Sequence, residues 1–475
     1  MSGSLASSGC GDESRPAGDA SADGPTSRSD AGRGPDAVPD LPIDRVTPTD
    51  TRPPGPSDGG AETLPVRDAG TGADADVPAA NAMDTIPPVM DVGPVVDTGA
   101  PIDVATPPGD GGPLPPSSMS VAVYDEATLI DLNFTFPAGE WEKLLTLTGP
   151  TDARWVACTV AGLGTAATPA SCRRKGDQLD WSREKKPQIV VRFNRTDPNG
   201  RFRGLRRLNL ESFDGAAAPI RDRLGMWVMR ESGIDAPRVN NARVFKDGTY
   251  LGLYLNIEAL DKEFLEDHFG ADAGGNLWED GMDLKTNEDM PNATRLEALN
   301  ALIENEPLTG DHTAFFAALA TRMDVAQVLR EMAGETALIA DDNFSNGSTN
   351  YAYYEHPKRG FLVLPWDFDS IITGGPVTAD LYDYRGVSDE PSRVRRLMNQ
   401  NPAWKRQFED ALVDIRDRHL SRVPAKVDVV CAQIRDAVRT DPNRTSTFAD
   451  FEADCLLVKL RVTQRIAAIK QILGR

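Results

Sequence analysis

The first 118 of the 475 residues contain no Lys, no His and no Phe, Tyr or Trp. They are dense in Pro, Gly, Ala, Asp, Ser and Thr, with about 19 acidic and about 6 basic side chains. A segment so poor in large apolar residues cannot bury enough surface to offset its chain entropy. We therefore predict a disordered tether over residues 1–118 and a folded domain over residues 119–475.

Positive charge is also scarce relative to negative charge. The formal net charge is −21, and the tail supplies about −13 of it (19 acidic less 6 basic), which leaves about −8 for the folded part. A mildly acidic domain without a basic stripe does not indicate nucleic-acid binding. No apolar run approaches the roughly 20 residues that a membrane-spanning helix needs, so we expect no transmembrane span.

Cysteine and histidine are few, with five and four residues respectively. No C-x-x-C occurs and no His follows at zinc-ligand spacing, which argues against a zinc site. Four of the cysteines form two pairs that are local in sequence. Two disulfides, Cys158–Cys172 and Cys431–Cys455, would suit an exported protein, and four buried free thiols are the alternative.

The fifth cysteine, Cys10, follows the residues Leu5-Ala6-Ser7-Ser8-Gly9, which resemble the end of a lipoprotein signal. The charged and hydrophobic parts of such a signal are missing. If the true start codon lies upstream, Cys10 would be the lipidated first residue and the tail would be a spacer from a membrane surface. On this interpretation the protein is exported to the cell envelope or the extracellular space.

Several catalytic signatures are absent as well. The predicted folded domain, residues 119–475, has no G-x-x-x-x-G-K-[ST], no G-x-S-x-G and no H-E-x-x-H. These absences argue against a P-loop nucleotide site, an α/β-hydrolase elbow and a zinc protease helix, because each of those sites requires its motif.

The most informative segment that is present runs from Ala340 to Ser370. Adjacent aspartates and an asparagine precede a strand-like run of tyrosines, and a second apolar strand ends in the sequence P-W-D-F-D. A hairpin of this kind would bring carboxylates and an amide together, as magnesium-dependent phosphoryl transfer requires. A calcium loop or a solvated acidic turn is the simpler alternative.

Periodicity predicts an α+β domain in two lobes with a helical C-terminal region. The predicted helix over 218–230 carries Arg221 and Arg223, for which a solvated helix face is the simplest interpretation. A hairpin is predicted across Asp247-Gly248 because Asp-Gly is a strong turn signal. Strands are predicted over 120–124, 130–136, 154–161, 189–193, 206–210, 237–245 and 250–257, a polar loop over 271–292, and helices over 260–269, 293–340 and 402–475.

Four blocks of this sequence resemble the CotH kinase family, an atypical protein-kinase-like fold. They are K-K-P-Q-I-V-V-R-F at 185–193, L-N-L at 208–210 with I-R-D-R-L-G-M-W-V-M-R-E-S-G-I-D-A-P-R-V at 220–239, D-G-T-Y-L-G-L-Y-L-N-I-E at 247–258, and D-D-N…T-N-Y-A-Y-Y…V-L-P-W-D-F-D at 341–369. Together with the C-terminal helix, the similarity covers most of 120–475. The resemblance implies an atypical, two-lobed kinase-like fold.

The resemblance also implies roles for the acidic segment. Asp342 matches the catalytic aspartate that orients or deprotonates the acceptor hydroxyl. Asn350 and Asp367 match the metal-binding asparagine and aspartate, and Asp369 either assists with the metal or shapes the turn. Two alternatives stay open: Asp341 could replace Asp342, and Asn346 could replace Asn350, because eight residues separate Asp342 from Asn350.

The nucleotide lysine is expected at Lys186, with Lys185 second, and Glu258 is expected to have a structural or nucleotide-site role. Glu279 stands where relatives often carry a lysine. Because no Gly-rich loop is present, the polar stretch 197–204 is the candidate cover for the phosphates.

The function implied is transfer of the ATP γ-phosphoryl group, with Mg²⁺ or Mn²⁺, to Ser or Thr of a surface or coat protein. A surface-displayed binding or adhesion module on the same fold, without activity, is the rival interpretation. A third has the Asp-rich loops as structural calcium sites.

Overall fold

In the computed structural model, the described residues are 119–475 without 147–153, 176–184, 213–216, 348, 374, 387 and 389. The predicted tether over 1–118 and Cys10 lie outside these residues. The described part contains both helices and strands, so the α+β prediction is confirmed.

Seven strands form a closed barrel. All neighbouring strands pair antiparallel except β1 and β6, which pair in parallel, and the order around the barrel is β1-β2-β3-β4-β5-β7-β6. The strands are β1 Ile130–Thr135, β2 Val156–Gly162, β3 Thr165–Arg174, β4 Ile189–Arg192, β5 Arg207–Glu211, β6 Val239–Lys246 and β7 Thr249–Ile257.

Alternation along β5 separates two environments. Leu208 and Leu210 belong to the apolar core of the barrel, together with the apolar side chains of the paired strand β4. Successive side chains of a strand point to opposite faces, so Arg207, Asn209 and Glu211 share the other face. A polar stripe therefore runs along the outside of the barrel.

The predicted hairpin across Asp247 and Gly248 is confirmed between β6 and β7. Both residues have positive φ, 49° for Asp247 and 80° for Gly248. Two consecutive positive φ values match the right-handed twist of a tight hairpin, which is why Asp-Gly is favoured there.

The second part of the fold combines a four-stranded antiparallel sheet, in the order β11-β10-β8-β9, with most of the helices. Its strands are β8 Leu277–Glu279, β9 Asp283–Leu284, β10 Tyr351–His356 and β11 Gly360–Pro365. The helices of the described chain are α1 Glu140–Leu145, α2 Arg221–Glu231, α3 Lys262–Phe269, α4 Thr294–Asn305, α5 Thr313–Ala320, α6 Val325–Leu338, α7 Arg393–Met398, α8 Pro402–Arg418, α9 Val423–Thr440 and α10 Phe448–Leu473. The helical C-terminal region is confirmed. None of the helices in the described ranges is long and apolar enough to cross a membrane.

Helix α2 joins the two parts. The interpretation that its arginines lie on a solvated face is wrong. Arg221 makes two hydrogen bonds to Asp454 of α10, at 2.9 and 2.7 Å. Arg223 donates to Asn241 of β6 and to Gln433 of α9, at 2.8 and 2.7 Å. Both are buried because the helix lies between the barrel and the C-terminal helices, a burial that helical periodicity alone does not reveal.

Two smaller predictions were wrong, and one strand was not predicted. The predicted strand over 120–124 is a short 3₁₀ helix, Val121–Val123. Strand β3, rich in Ala and Thr, was not predicted although it closes the barrel between β2 and β4. The predicted loop over 271–292 contains β8 and β9, which are stabilised by pairing rather than by their own sequence: β8 pairs with β10, and β9 pairs with β8.

Both expected disulfides are present. Cys158–Cys172 links β2 to β3, and Cys431–Cys455 links α9 to α10. The alternative of four free thiols is therefore wrong in this structure. The second bond closes a loop over 24 residues of sequence separation and ties together the two helices that hold α2 through Arg223 and Arg221.

We predict that the double substitution Cys431→Ser and Cys455→Ser lowers the free energy of unfolding by about 3 kcal/mol, because the unfolded chain gains the freedom of the opened loop. Urea unfolding under non-reducing conditions measures this loss. The gap to the wild type should close when both proteins are unfolded with a reductant. A gap that persists would assign the loss to poor packing of serine instead.

Candidate functional site

The hairpin of β10 and β11 delivers the predicted site residues to one place. At its open end the Trp366 N–H donates to the Asn350 carbonyl oxygen, at 3.1 Å. Asn350 accepts this bond, and Asp367 directly follows its donor. Both residues have a left-handed backbone, with φ of 55° and 51°. Asn and Asp tolerate that conformation better than most residues, but its presence at two neighbouring site positions indicates a constrained site.

The loop before β10 is knitted to the end of β11 by asparagine amides. The Asn343 amide nitrogen donates to the Trp366 carbonyl oxygen at 2.9 Å. The Asn350 amide nitrogen donates to the Asp342 carbonyl oxygen at 2.8 Å. Asn343 was not predicted as a site residue, yet it is fully buried and holds the two halves of the site together.

The contacts of the adjacent aspartates distinguish them. The Tyr384 hydroxyl donates to the Asp341 carboxylate. No group in the described part of the chain donates a hydrogen bond to the Asp342 carboxylate, and partial burial together with the nearby Asp341 raises its pKa. Of the two carboxylates, Asp342 is the one that can accept a proton from a bound hydroxyl.

The two asparagines differ in the same way. Asn346 is buried, its amide nitrogen donates to the Ala340 carbonyl, and its oxygen accepts from Arg395 at 3.1 Å. Both ends of this side chain are therefore engaged inside the fold. Asn350 lies at the mouth of the hairpin beside Asp367, which makes it the better match to a metal ligand.

Helix α2 reaches the site from the opposite side. The Asp222 carboxylate accepts the backbone N–H of Phe368 at 2.7 Å and so fixes the turn between Asp367 and Asp369. Gly225, one turn further along α2, lets Phe368 approach: a Cβ at this position would lie 2.5 Å from the Phe368 ring. Asp222 was not among the predicted site residues, although it lies in the family block 220–239.

Five carboxylates gather where these elements meet, and we call them the acidic cluster. Burial and the charges of Asp367 and Glu211 raise the pKa of Asp222 well above its ordinary value. Enclosure in the cleft and the nearby carboxylates raise the pKa of Asp369 in the same direction, although this residue remains open to solvent on one side. The members of the cluster are Glu211, Asp222, Asp342, Asp367 and Asp369.

A single lysine from the barrel faces this cluster among the residues described. Lys175, just after β3, forms an ion pair with Glu211, and its ammonium lies 5.4 Å from the centre of the Trp366 ring. Lys175 also lowers the pKa of Asp222, against the larger effect of burial. One ammonium does not balance five carboxylates, so the cluster favours further positive charge.

A cavity opens beside the cluster. Its walls include the residues that link β7 to α3 (259–261), the side chains of Tyr351 and Trp366, and the polar stripe of β5. Arg207 Nη2 and Asn209 Nδ2 are buried there without a hydrogen-bond partner in the described residues, although Arg207 Nε donates to Asn209 Oδ1 at 2.8 Å. Buried donors left unpaired beside a cavity indicate a ligand rich in acceptor atoms.

Glu279 also lines this cavity, where the resemblance led us to expect a lysine. It forms an ion pair with Lys285, which lines the same wall from just beyond β9. The cavity thus has an ammonium group, supplied by a neighbouring position in the sheet.

The structure places the predicted lysines differently. Lys185 is exposed. Lys186 forms an ion pair with Asp441 at 2.7 Å, and its ammonium lies 5.3 Å from the centre of the Tyr254 ring. Asp441 follows α9 and also accepts the Leu253 N–H at 2.9 Å, so Lys186 ties the barrel to the C-terminal helices.

Glu258, the last predicted residue, is buried in an ion-pair network at the end of β7. Arg238 donates to it from both its backbone N–H and its guanidinium, at 2.9 and 3.0 Å, and His268 lies 3.6 Å away. Burial alone would raise the pKa of Glu258, but the bonds from His268 and Arg238 hold it at about 2. These contacts fix the start of the 259–261 segment that lines the cavity.

The donor set of the site suits a hard divalent cation. Asn350, Asp367 and Asp369 offer carboxylate and amide oxygens, which Mg²⁺ and Mn²⁺ prefer. In the described part of the chain, no three acidic, His or Cys side chains already enclose a point that would hold a metal ion. The chemistry of these ligands fits such a cation, but the carboxylates would have to move closer together to bind it.

Comparison with known proteins identifies the family. The model of the CotH kinase protein family matches residues 173–472, more than half of the chain. The chain is similar to the inner spore coat protein H of Bacillus subtilis (strain 168), at 23% identity over 275 residues that cover 53% of this chain and 74% of that protein. The protein belongs to the CotH kinase protein family.

The acidic cluster leads to a prediction about pH. The ordinary pKa of Asp369 applies to the unfolded chain, so between that value and the raised pKa the folded state must bind an extra proton. Stability relative to an Asp369→Asn variant therefore falls as the pH rises. We expect the variant to melt above the wild type in EDTA, by a larger margin at pH 8 than at pH 5.

Thermal melts of both proteins at the two pH values measure this margin. Asp383→Asn, which changes an exposed aspartate outside the cluster, is the matched control and should give the same margin at both. An equal margin for Asp369→Asn at pH 5 and pH 8 would contradict the proposed repulsion within the cluster.

Proposed function

We propose that this protein is an atypical protein kinase that transfers the γ-phosphoryl group of ATP to a Ser or Thr hydroxyl of another protein, with Mg²⁺ or Mn²⁺. The observation that carries the proposal is the acidic cluster at the open end of the β10–β11 hairpin, beside a cavity with unpaired donors. Membership of the CotH kinase protein family supports it.

The polar side chains are divided along the cavity in the way that a nucleotide would require. Arg207 and Asn209 lie at the end nearer to segment 259–261, and Glu211 reaches the acidic cluster with Lys175. We infer that the base and ribose occupy the end near 259–261 and that the phosphates extend toward Trp366.

In this proposal Asp342 is the base. Its carboxylate accepts no hydrogen bond from the described residues, and its raised pKa brings it closer to that of a useful proton acceptor. Asn350 binds the Asp342 carbonyl oxygen, and the next residue, Asn343, binds the Trp366 carbonyl oxygen, so that the carboxylate can orient an acceptor hydroxyl without a costly rearrangement.

Asn350 and Asp367, with Asp369, would hold the metal. The bound ion would supply charge neutralisation on the phosphates. Lys175 lies at the same end of the cavity, where its ammonium can contact a phosphate oxygen. We prefer Lys175 to Lys186 as the phosphate-binding lysine, because Lys175 faces the acidic cluster through Glu211, whereas Lys186 faces Asp441 between the barrel and the C-terminal helices.

The acceptor is proposed to be a protein of a coat or of the cell surface. This part rests on the similarity to an inner spore coat protein and on the two disulfides, which are typical of exported proteins. Export, with a lipid anchor at Cys10, belongs to the same proposal.

The test is phosphoryl transfer by the full-length protein. We expect label to pass from γ-labelled ATP to a generic acidic or basic protein with Mg²⁺ or Mn²⁺. Asp342→Asn and Asp367→Asn should each reduce transfer at least about 100-fold, because one loses the base and the other a metal ligand. The matched control Asp383→Asn should keep full activity.

The two variants should differ in binding. Asp342→Asn should keep the rise in melting temperature that ATP with Mn²⁺ gives to the wild type, whereas Asp367→Asn should lose most of it. No transfer and no such rise in the wild type would contradict the kinase and favour the non-catalytic surface-binding module. Stabilisation by Ca²⁺ without any nucleotide effect would favour structural calcium sites.

The cavity gives a further prediction. Arg207→Met keeps much of the length of the side chain but removes its donors, so we expect ATP to bind at least about tenfold more weakly, with little change in the turnover number. Equilibrium binding of ATP with Mn²⁺ measures the effect. Arg418→Met, at an exposed position on α8, is the control. Unchanged affinity in Arg207→Met would exclude this arginine from the nucleotide site.

A further inference from the structure

Helix α6 carries two glutamates in the interior of the protein that the proposed reaction does not use. Glu331 and Glu335 are one helical turn apart, so they lie on the same face of the helix. Their exposed fractions are 0% and 1%. Two acidic side chains this deeply buried are costly to maintain unless hydrogen bonds compensate them.

Glu335 receives its hydrogen bonds from the loop that contains Asp342. One carboxylate oxygen accepts the backbone N–H of Phe344 at 3.1 Å, and the other accepts the N–H of Ser345 at 2.8 Å. These are the second and third residues after Asp342. A charged acceptor bound by two backbone donors fixes the path of the chain at that point.

Neither carboxylate oxygen of Glu331 has a hydrogen-bond partner in the described chain, and both oxygens are enclosed. Two carboxylates can share a hydrogen bond only when one of them carries a proton. Burial, followed by the charge of Glu335, raises the pKa of Glu331 well above its ordinary value. A proton on Glu331 would let its hydroxyl donate to the Glu335 carboxylate, which the Phe344 and Ser345 N–H groups already bind.

The other charged or titratable groups that face the pair do not replace this bond. Arg395 of α7 acts on both glutamates only through its charge, since its guanidinium donates to Asn346, Thr336 and the Leu381 carbonyl. Tyr353 of β10 is the remaining neighbour. Burial raises its pKa, and its hydrogen bond with Tyr351 offsets part of that rise.

We propose that Glu335 is a positioning residue for Asp342, held in place by the carboxyl proton of Glu331. The pair works as a brace: α6 is anchored in the core, Glu331 orients Glu335, and Glu335 fixes the two N–H groups that follow the base. The brace itself is independent of the reaction, whereas its effect on turnover rests on the proposed function.

Two pairs of variants test the brace in the full-length protein. Glu335→Gln places an amide donor where two N–H donors converge, so it should lose at least one of the two bonds. Glu331→Gln can still donate to Glu335, whereas Glu331→Met has similar volume and cannot. Glu304→Gln, at an exposed position on α4, is the control.

Hydrogen–deuterium exchange of the segment 343–347 is the first measurement, because it does not depend on any activity. We expect exchange to be about tenfold faster in Glu335→Gln and Glu331→Met, and unchanged in Glu331→Gln and Glu304→Gln. Equal protection in Glu331→Gln and Glu331→Met would overturn the role of the shared proton. If Glu335→Gln fails to fold, this comparison still decides the point.

The second measurement is the kinetics of phosphoryl transfer. A looser Asp342 loop should lower kcat at least about tenfold and leave the KM for ATP nearly unchanged, because the cavity and the metal ligands are intact. A matching rise in KM would assign Glu335 a general structural role instead. If the wild type transfers no phosphate, the exchange results still stand, so the two proposals fail separately.

Discussion

The constraint on which the rest of this structure depends is the repulsion among five carboxylates at the open end of one hairpin. Burial in the cleft and the like charges of neighbouring carboxylates raise the pKa of both Asp222 and Asp369. The fold holds these groups together by binding the backbone around them. Asp222 fixes the Phe368 N–H, Asn343 fixes the Trp366 carbonyl, and Glu335 fixes the loop on the other side.

The barrel and the helical region can supply opposite sides of such a site because buried charged side chains hold them in register. Arg221 binds Asp454 of α10, and Lys186 binds Asp441 after α9. Breaking either pair would leave a buried charge uncompensated, which is why buried pairs specify an arrangement even when they add little net stability. Lys186 thus has a defined task in the fold.

The arrangement at the hairpin could be predicted from the sequence better than its surroundings. The hairpin, its turn and the gathering of Asp342, Asn350 and Asp367 follow from local spacing, because a hairpin always brings its two ends together. The acidic contribution of Asp222 and the ion pair of Lys186 depend on which helix packs on which strand, and no local pattern contains that information. One signal was present but unused: in R-L-N-L-E of β5, apolar residues alternate with polar ones, which is typical of a strand with a polar second face.

These features bear on the choice between a kinase and a binding module. A module that only displayed its surface would gain nothing from repelling carboxylates, from two non-glycine residues with left-handed backbones, or from buried donors without partners in the described chain. Each of these features lowers the stability of the empty protein. Substitutions that relieve them are common among random mutations, so an idle site tends to lose them. Their joint presence around one cavity is easier to explain if a charged ligand and a cation complete the site.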